Sequence, residues 1–334
     1  MNLLGVINDR SYGVVCYNLL KELKCKFWPL FKTQEGLDVD YQFINECLNK
    51  PYENNISIRQ WHQFDLANHV CSKRVGFPIF ELDNFNKLEL EHLRAQDQVL
   101  VCSRWAQSVL ANFKISANVV PLGVDTNIFY PIDLPQQDTF KFFCCGKWEI
   151  RKGHDFLVQC FDKAFHNTKD VELYMSCHNP FLTPQEEDNW QKIYKNRLGN
   201  NVIFTPWVKS QKQLNTIMNT VDCGIFLSRA EGWNLEALEM MACNKPIIIT
   251  NYSGHTEFCN NNNSYLVHSN KTEKAIDGKW FFGQGNWLSL DNTEEQVIEH
   301  MRFIYKNRPK NPRGLETAKQ FSWENSANLL KMGV

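Results

Sequence analysis

The sequence predicts an α/β protein of two domains, each built on a mostly parallel sheet. Three observations carry this expectation. Short apolar runs alternate with amphipathic helical segments along most of the chain, the rhythm of repeated βαβ units. The stretch 222–251, DCGIFLSRAEGWNLEALEMMACNKPIIITN, reads as strand, loop, helix and strand, a single βαβ unit whose two strands should run parallel. A length of 334 residues suffices for two domains of ordinary size, each with its own core.

Composition narrows the function classes. The 36 basic and 37 acidic residues nearly cancel, which argues against a nucleic-acid binder that works by bulk charge. Any phosphate site must therefore be local. No apolar run approaches the roughly 18 residues of a membrane span, and the N-terminus enters a strand pattern at once, with no signal peptide. A soluble, cytoplasmic protein without a transmembrane segment is expected, and contact with a membrane surface stays open. The twelve cysteines are scattered, many inside apolar runs such as 99–102 and 142–145, and read as reduced core residues. There is no Cys-x-x-Cys, so no zinc site is expected.

Taken in order, 3–7 is an apolar strand, 8–13 a polar turn, and Val14, Val15, Leu19 and Leu20 mark the first helix. The Gly-x-Gly-x-x-Gly fingerprint is missing, so no tightly held dinucleotide is expected at this turn. Gly13 either lets the backbone approach a ligand or breaks the strand. Strands follow at 26–30, 56–61, 76–82 and 99–102, with helices at 37–48, 84–95 and 104–113. Trp61, His62, Gln63, Phe64 and Asp65 stand together at the end of the third strand, an aromatic and polar group at a carboxyl edge. A lone His is more often a core or surface residue, but this position singles out His62, with His69 and His92 as alternatives. An apolar run, 119–124, ends the first half.

Residues 134–138 read as an interdomain linker. A strand at 140–145 leads into Gly146-Lys147-Trp148-Glu149-Ile150-Arg151-Lys152-Gly153 and a helix to 165, which puts Lys147 and Lys152 at a carboxyl edge, where two cations can neutralise a diphosphate. Strands at 171–176 and 202–206 and a helix at 211–220 continue the rhythm. In the βαβ unit, strands 223–227 and 246–250 flank a helix at 235–243 that Asn234 can cap. Its first loop carries Glu231, Gly232, Trp233 and Asn234. Ligands bind at the carboxyl ends of such strands, and the unpaired N–H groups of a helix N-terminus suit a phosphate. Glu239, inside the helix, is a second carboxylate. Two carboxylates beside an anion site fit a ligand with vicinal hydroxyls as well as phosphate, which describes a nucleotide sugar. The tail, 311–332, looks helical, with Phe321, Trp323, Leu329 and Leu330 as its apolar set; 270–290 has no functional reading.

Glu, Gly, an aromatic, then an apolar helix with Glu at the eighth place, followed by Met-Ala-Cys-Asn-Lys-Pro and an Ile-rich strand, resembles the Glu-x7-Glu signature of family 4 retaining glycosyltransferases. Asn234 departs from it, since the family often has Gly there; Asn tolerates left-handed geometry or serves as a cap. Two further stretches are similar to the same family. One is Val-Pro-Leu-Gly-Val-Asp-Thr-Asn-Ile-Phe-Tyr-Pro at 120–131; the other is the Gly-Arg-x4-Lys-Gly pattern at 146–153, with Lys147 in place of Arg. Lys lacks the bidentate fork of Arg.

The resemblance implies the GT-B fold, two Rossmann-like domains facing a cleft, with residues 1–133 on the acceptor side, 134–311 binding the donor, and the last helix, 312–332, crossing back to the first domain. It implies that Glu239 meets the ribose, Glu231 the donor sugar, and Lys147 and Lys152 the diphosphate, assisted by the amides of Gly232, Trp233, Asn234 and Leu235. Trp207 and Val208 fall in the family's base-binding loop, Gly13 in a loop bordering the cleft, and 253–257 in a loop flanking the donor sugar, where Glu257 reads equally as structural. His62 would meet the sugar from the N-terminal domain. The expected activity is a retaining, metal-independent transfer of a sugar from a nucleoside-diphosphate sugar to a glycan or glycolipid acceptor, with no cofactor. The rivals are a GT-B epimerase or phosphorylase and a non-catalytic sugar-binding subunit. The residues leave the base, sugar, acceptor and oligomeric state open.

Overall fold

In the computed structural model, which describes residues 1–135 and 137–333, the apolar runs pair in parallel to form two sheets. The first half runs β1 (Asn2–Gly5), α1 (Ser11–Leu23), β2 (Lys26–Pro29), α2 (Tyr41–Asn49), β3 (Ile56–Trp61), β4 (Lys73–Pro78), α3 (Lys87–Arg94), β5 (Gln98–Val101), α4 (Arg104–Asn112) and β6 (Asn118–Val119). Its six strands lie in the order β2-β1-β3-β4-β5-β6, every pair parallel. The second half runs β7 (Phe140–Gly146), α5 (His154–Phe165), β8 (Val171–Cys177), α6 (Pro184–Leu198), β9 (Val202–Phe204), α7 (Gln211–Thr220), β10 (Cys223–Phe226), α8 (Leu235–Ala242), β11 (Ile247–Thr250) and β12 (Tyr265–Val267). Its order is β12-β11-β10-β7-β8-β9, again parallel throughout. A hairpin of β13 (Thr272–Ile276) and β14 (Phe282–Leu288) follows, then α9 (Glu294–Asn307), α10 (Pro312–Gln320) and α11 (Trp323–Gly333).

Strands buried on both faces read as continuous apolar runs. Leu3, Ile58, Val75 and Leu100 form the centre of the first sheet, and Phe142, Leu173, Ile225 and Ile248 that of the second, all without exposed surface. Several boundaries differ from the sequence expectation for local reasons. β4 begins at Lys73 and ends at Pro78, short of the expected 82, because Pro has no N–H for a further ladder bond. Helix α2 starts at Tyr41 instead of 37 because Asp40 caps it, accepting from the Phe43 amide at 2.9 Å. The expected polar turn at 8–13 is already helical from Ser11. Of the apolar run 119–124 only Val119 belongs to β6; Val124, at its far end, pairs with the tail. The tail is two helices, because at Phe321 and Ser322 the chain bridges to Val124, whose amide donates to the Phe321 carbonyl at 2.9 Å. Beyond the break, α11 lies against α1, and Ser326 Oγ donates to the Pro121 carbonyl at 2.6 Å. Of the expected linker 134–138, residue 136 lies outside the described residues.

Topology fixes where ligands belong. In the first sheet the chain winds from β1 to β2 on one side and to β3 on the other, so strand order reverses between β1 and β3. In the second it reverses between β7 and β10. Loops beyond the carboxyl ends of strands at such a switch point form a crevice. The loops concerned are those after β1 and β3, and those after β7 and β10. Among the described residues no helix is long and apolar enough to cross a membrane, and every cysteine is free.

Candidate functional site

The loops after β7 and β10 are pressed together by a glycine. Gly153 ends a single 3-10 turn, Ile150–Lys152, with φ +73°, and a Cβ there would lie 2.1 Å from the Leu227 carbonyl oxygen. Only Gly meets both demands. The close approach assembles a buried ion cluster. Arg151 Nη1 lies 3.0 Å from Glu231 Oε2 and its Nη2 2.9 Å from Glu149 Oε2, while Lys152 Nζ lies 2.7 Å from Glu231 Oε1 and Lys147 Nζ 2.7 Å from Glu149 Oε1. Ser228 Oγ donates to Glu231 Oε1 at 2.6 Å. Burial opposes the charge on Glu231, but Lys152 and Arg151 outweigh it and hold the carboxyl well below its ordinary range. Burial likewise opposes the charge on Lys152, and Glu231 outweighs it, raising the ammonium well above its usual value.

The two lysines are thus not the free cations that loop spacing suggested. Lys147, Arg151 and Lys152 face Glu149 and Glu231, and Glu236 stands 4.0 Å from Lys152, so three cations meet three carboxylates. Arg151 and Glu149 fall between the positions of the family pattern, which marks only Lys147 and Lys152 among the charged residues. The alternation Lys147, Glu149, Arg151, Lys152 within one short loop was the available signal.

Beyond Glu231 the chain turns into α8. Asn234 holds φ +81° and its side chain accepts from the Ala237 amide at 3.2 Å, so it meets both roles assigned to it, left-handed residue and cap. Among the described residues the amides of Gly232, Trp233, Asn234 and Leu235 donate to no protein acceptor, leaving a row of donors at the helix start. Glu239, one turn into α8, is buried; burial and then the Glu236 charge push its carboxyl well above the ordinary range. The 253–257 loop closes this side. Ser253 Oγ accepts from the Glu231 amide at 2.8 Å, and Gly254 N donates to the Glu231 carbonyl at 2.9 Å. His255, fully buried, donates through Nε2 to the Thr250 carbonyl and keeps Nδ1 without a partner among the described residues. Glu257 is structural: it accepts from the Arg104 amide at 2.7 Å and so holds the start of α4 in the other half of the molecule.

The opposite wall is aromatic and carries less charge. Tyr12 Oη lies 3.0 Å from His62 Nδ1 and donates to the Ile79 carbonyl at 2.6 Å. His62 stacks on Phe64 with ring centres 5.0 Å apart, and Trp61 packs against both Tyr12 and Phe31. Burial holds the His62 imidazole below its ordinary value; Glu81 pulls the other way and Lys147, from the second half, reinforces burial. His62 thus stands within electrostatic reach of Lys147. The two alternatives are engaged within the first half. His69 spans Ser57 and Gln96, and His92 Nδ1 accepts from the amides of Leu66 and Ala67.

Three of the other expected site residues sit differently. Gly13, in the first turn of α1, makes room for the loop that precedes the helix, where a Cβ would lie 2.3 Å from the Asn8 nitrogen, so the close approach is internal to the chain. The Trp233 ring is buried between Phe258 and Phe321, which leaves only its backbone toward the cleft. Trp207 donates to Asp9 Oδ2 at 3.1 Å and lies under Arg10, so its ring joins the two walls. Val208 beside it is half-buried. Asp9, Tyr12 and Glu81 were not picked out in the sequence; Asp9 and Tyr12 are near neighbours in the chain, but Glu81 lies far from both, and only topology brings Glu81 to Tyr12 and Trp207 to Asp9. The hairpin, which had no reading, bridges the walls as well: Asn286 donates to Asp83 through its amide at 2.7 Å, and Asn84 Nδ2 donates to the Gln284 carbonyl at 2.7 Å. A cavity of about 310 Å³ bounded by Pro121, Phe321 and Leu329 lies apart from the ion cluster and is lined by no charged residue.

Residues 139–278 match the sequence profile of Glycosyl transferases group 1. The chain is 30% identical over 152 residues to a probable sucrose-phosphate synthase of Thermosipho melanesiensis, a match covering 43% of this chain and 34% of that protein. The match to that curated relative thus spans about a third of its length. Among solved structures, the sucrose-phosphate synthase of Thermosynechococcus elongatus superposes with TM-score 0.73 at 16% identity, covering 99% of this chain and 96% of the other. The Anabaena protein HepE, solved with UDP and glucose, does so with TM-score 0.70 at 12% identity, covering 99% and 98%. The fold is GT-B.

Proposed function

We propose that the protein is a retaining glycosyltransferase that uses a nucleoside-diphosphate sugar and a carbohydrate or lipid-linked acceptor. One observation carries the reading: three cations, Lys147, Arg151 and Lys152, lie beside the unpaired amides of 232–235, with two carboxyl groups, Glu231 and Glu239, at the same strand end. The match of 139–278 to group 1 glycosyl transferases covers this same segment.

In this reading residues 134–311 hold the donor, with α10 packed on α8, and 1–133, with α11 packed against α1, hold the acceptor. Glu239 takes the ribose hydroxyls. Lys147, Lys152 and the free amides take the diphosphate, with Arg151 fixing Glu149 and Glu231 between them. Glu231, whose oxygens already serve Arg151, Lys152 and Ser228, offers its remaining lone pair to the donor sugar. As the bond from the anomeric carbon to the diphosphate oxygen breaks, its electron pair passes to the phosphate, and preorganised donors stabilise that charge. The acceptor hydroxyl attacks from the same face. The aromatic wall of Trp61, His62, Phe64 and Phe31 suits a sugar ring, whose C–H face packs on such surfaces; Phe31 and Phe64 are exposed.

Thermal melting against a panel of nucleoside diphosphates and their sugars tests the binding step, since a ligand that binds only the native state raises Tm by mass action. One nucleobase series is expected to raise Tm. Proton NMR of the product is then expected to show the anomeric configuration of the donor kept, with equal turnover whether or not Mg2+ or Mn2+ is added. No shift with any diphosphate overturns the reading, and product formed from donor alone replaces it with an epimerase.

A further inference from the structure

We propose that Cys144, His154 and Cys177 form a buried site for a thiophilic metal cation, Zn(II) or Cu(I), directly behind the ion cluster. The three residues come from three elements. Cys144 lies in β7, Cys177 ends the adjacent β8 opposite Gly146, and His154 is the first residue of α5. One ligand atom from each lies within 4.8 Å of the other two. Cys144 and His154 are buried and Cys177 is half-buried.

The geometry is that of a site and not of chance neighbours. His154 Nε2 lies 3.0 Å from the Lys147 carbonyl, and because a carbonyl only accepts, that nitrogen carries the proton. Nδ1 is then the unprotonated nitrogen, and it faces Cys144 Sγ at 3.7 Å. Cys177 Sγ lies on the other side of the ring edge, 3.9 Å from Nε2, and must turn by its side-chain torsion to join a metal at Nδ1. Neighbouring ligand atoms of one tetrahedral zinc stand about 3.5–3.8 Å apart, given Zn–S of about 2.3 Å and Zn–N of about 2.0–2.1 Å. A metal-bound imidazole usually donates its other N–H to a carbonyl or carboxylate, and here the Lys147 carbonyl stands in that place. The shell is aromatic: Trp148 and Trp190 flank the imidazole, and Tyr194 Oη donates to the His154 carbonyl at 2.6 Å.

Two sulfurs and an imidazole, with no carboxylate in the group, select a soft d10 ion over Mg2+ or Ca2+. On binding, each thiol releases its proton to solvent and the sulfur donates a lone pair to the metal, with no change of oxidation state. Two thiolates cancel the charge of Zn(II), so the filled site is neutral and its burial costs little. Through the Lys147 carbonyl the ion would brace the loop 147–153 from behind. The site is independent of the proposed transferase reaction.

The test uses the whole chain, incubated separately with Zn(II) and with Cu(I), desalted, and measured for metal content and melting temperature. Retention of one ion per chain with a raised Tm is expected for one of the two cations. The double variant Cys144→Ser, Cys177→Ser should lose both effects, while Cys160→Ser, a buried cysteine elsewhere on α5, should keep them. X-ray absorption at the metal edge of the wild type does not depend on the variants folding; it should show two sulfur ligands and one nitrogen. Substoichiometric retention of both cations, undiminished retention by the double variant, or a shell of oxygen alone overturns the proposal.

Discussion

The two switch points share one topology and differ in what their loops carry. At β1/β3 the wall is made of Tyr12, Trp61, His62 and Phe64, stacked rings with one buried hydroxyl. At β7/β10 it is made of Lys147, Glu149, Arg151, Lys152 and Glu231, paired within a buried cluster. Strand order decides that a crevice exists at each place. Loop composition then decides whether the crevice suits a sugar face or an anion. The second wall also stores more energy, because buried charges are stable only as a complete set.

The largest expected difference follows from that. Arg151→Met leaves Glu149 and Glu231 buried without the guanidinium that joins them, and should cost about 3–5 kcal/mol of stability. Tyr12→Phe at the other wall removes the neutral bond to the Ile79 carbonyl, worth about 0.5–1.5 kcal/mol. Denaturant unfolding of both variants measures this. Similar losses would erase the distinction between the walls.

Next comes a pH effect at the second wall, in the same direction as the one burial of His62 produces at the first. Burial pushes the His255 imidazole down to about 4, whereas in the unfolded chain it titrates near its ordinary 6.5. Above pH 6.5 both states are neutral and the group costs nothing. As pH falls from about 6.5 to about 4 the unfolded chain takes up a proton that the native chain refuses, and stability drops by up to about 3 kcal/mol. His255→Gln should flatten the curve of stability against pH in that window. Curves that stay parallel there would remove His255 from the account.

Two smaller effects separate donor from acceptor. Glu239→Ala should weaken both the nucleoside diphosphate and the intact donor about tenfold, the equivalent of roughly 1.4 kcal/mol, for the loss of the buried carboxyl's hydrogen bonds. Calorimetry with the diphosphate reads this directly, and unchanged affinity would take the ribose away from α8. His62→Ala should lower kcat about tenfold, the equivalent of roughly 1.4 kcal/mol, with donor affinity nearly unchanged. If steady-state kinetics instead showed intact kcat and a raised donor KM, His62 would belong to the donor wall.

The sequence by itself determined whatever depends on neighbours within a turn or a strand. Period-2 and continuous apolar runs located β3 at Ile56–Trp61 and β7 from Phe140, and Asn234 was legible as both cap and left-handed residue because each role is local. Some local signals were present and unread. Thr183 and Glu186 form a capping box that announces α6, and Val297, Met301 and Ile304 at helical spacing announce α9. Tertiary structure alone decided which groups meet. Gly153 against the Leu227 carbonyl brings Arg151 to Glu231 across 80 residues, so two lysines that looked free along the chain became members of a nearly neutral cluster. The absence of Cys-x-x-Cys spoke against a metal, yet strand register sets Cys177 beside Cys144 and the first residue of α5 beside both. Trp207 meets Asp9, and Asn286 meets Asp83, for the same reason. Local spacing specifies a residue's own backbone and face; a charge or thiol acquires its chemistry from partners that only the path of the other strands supplies.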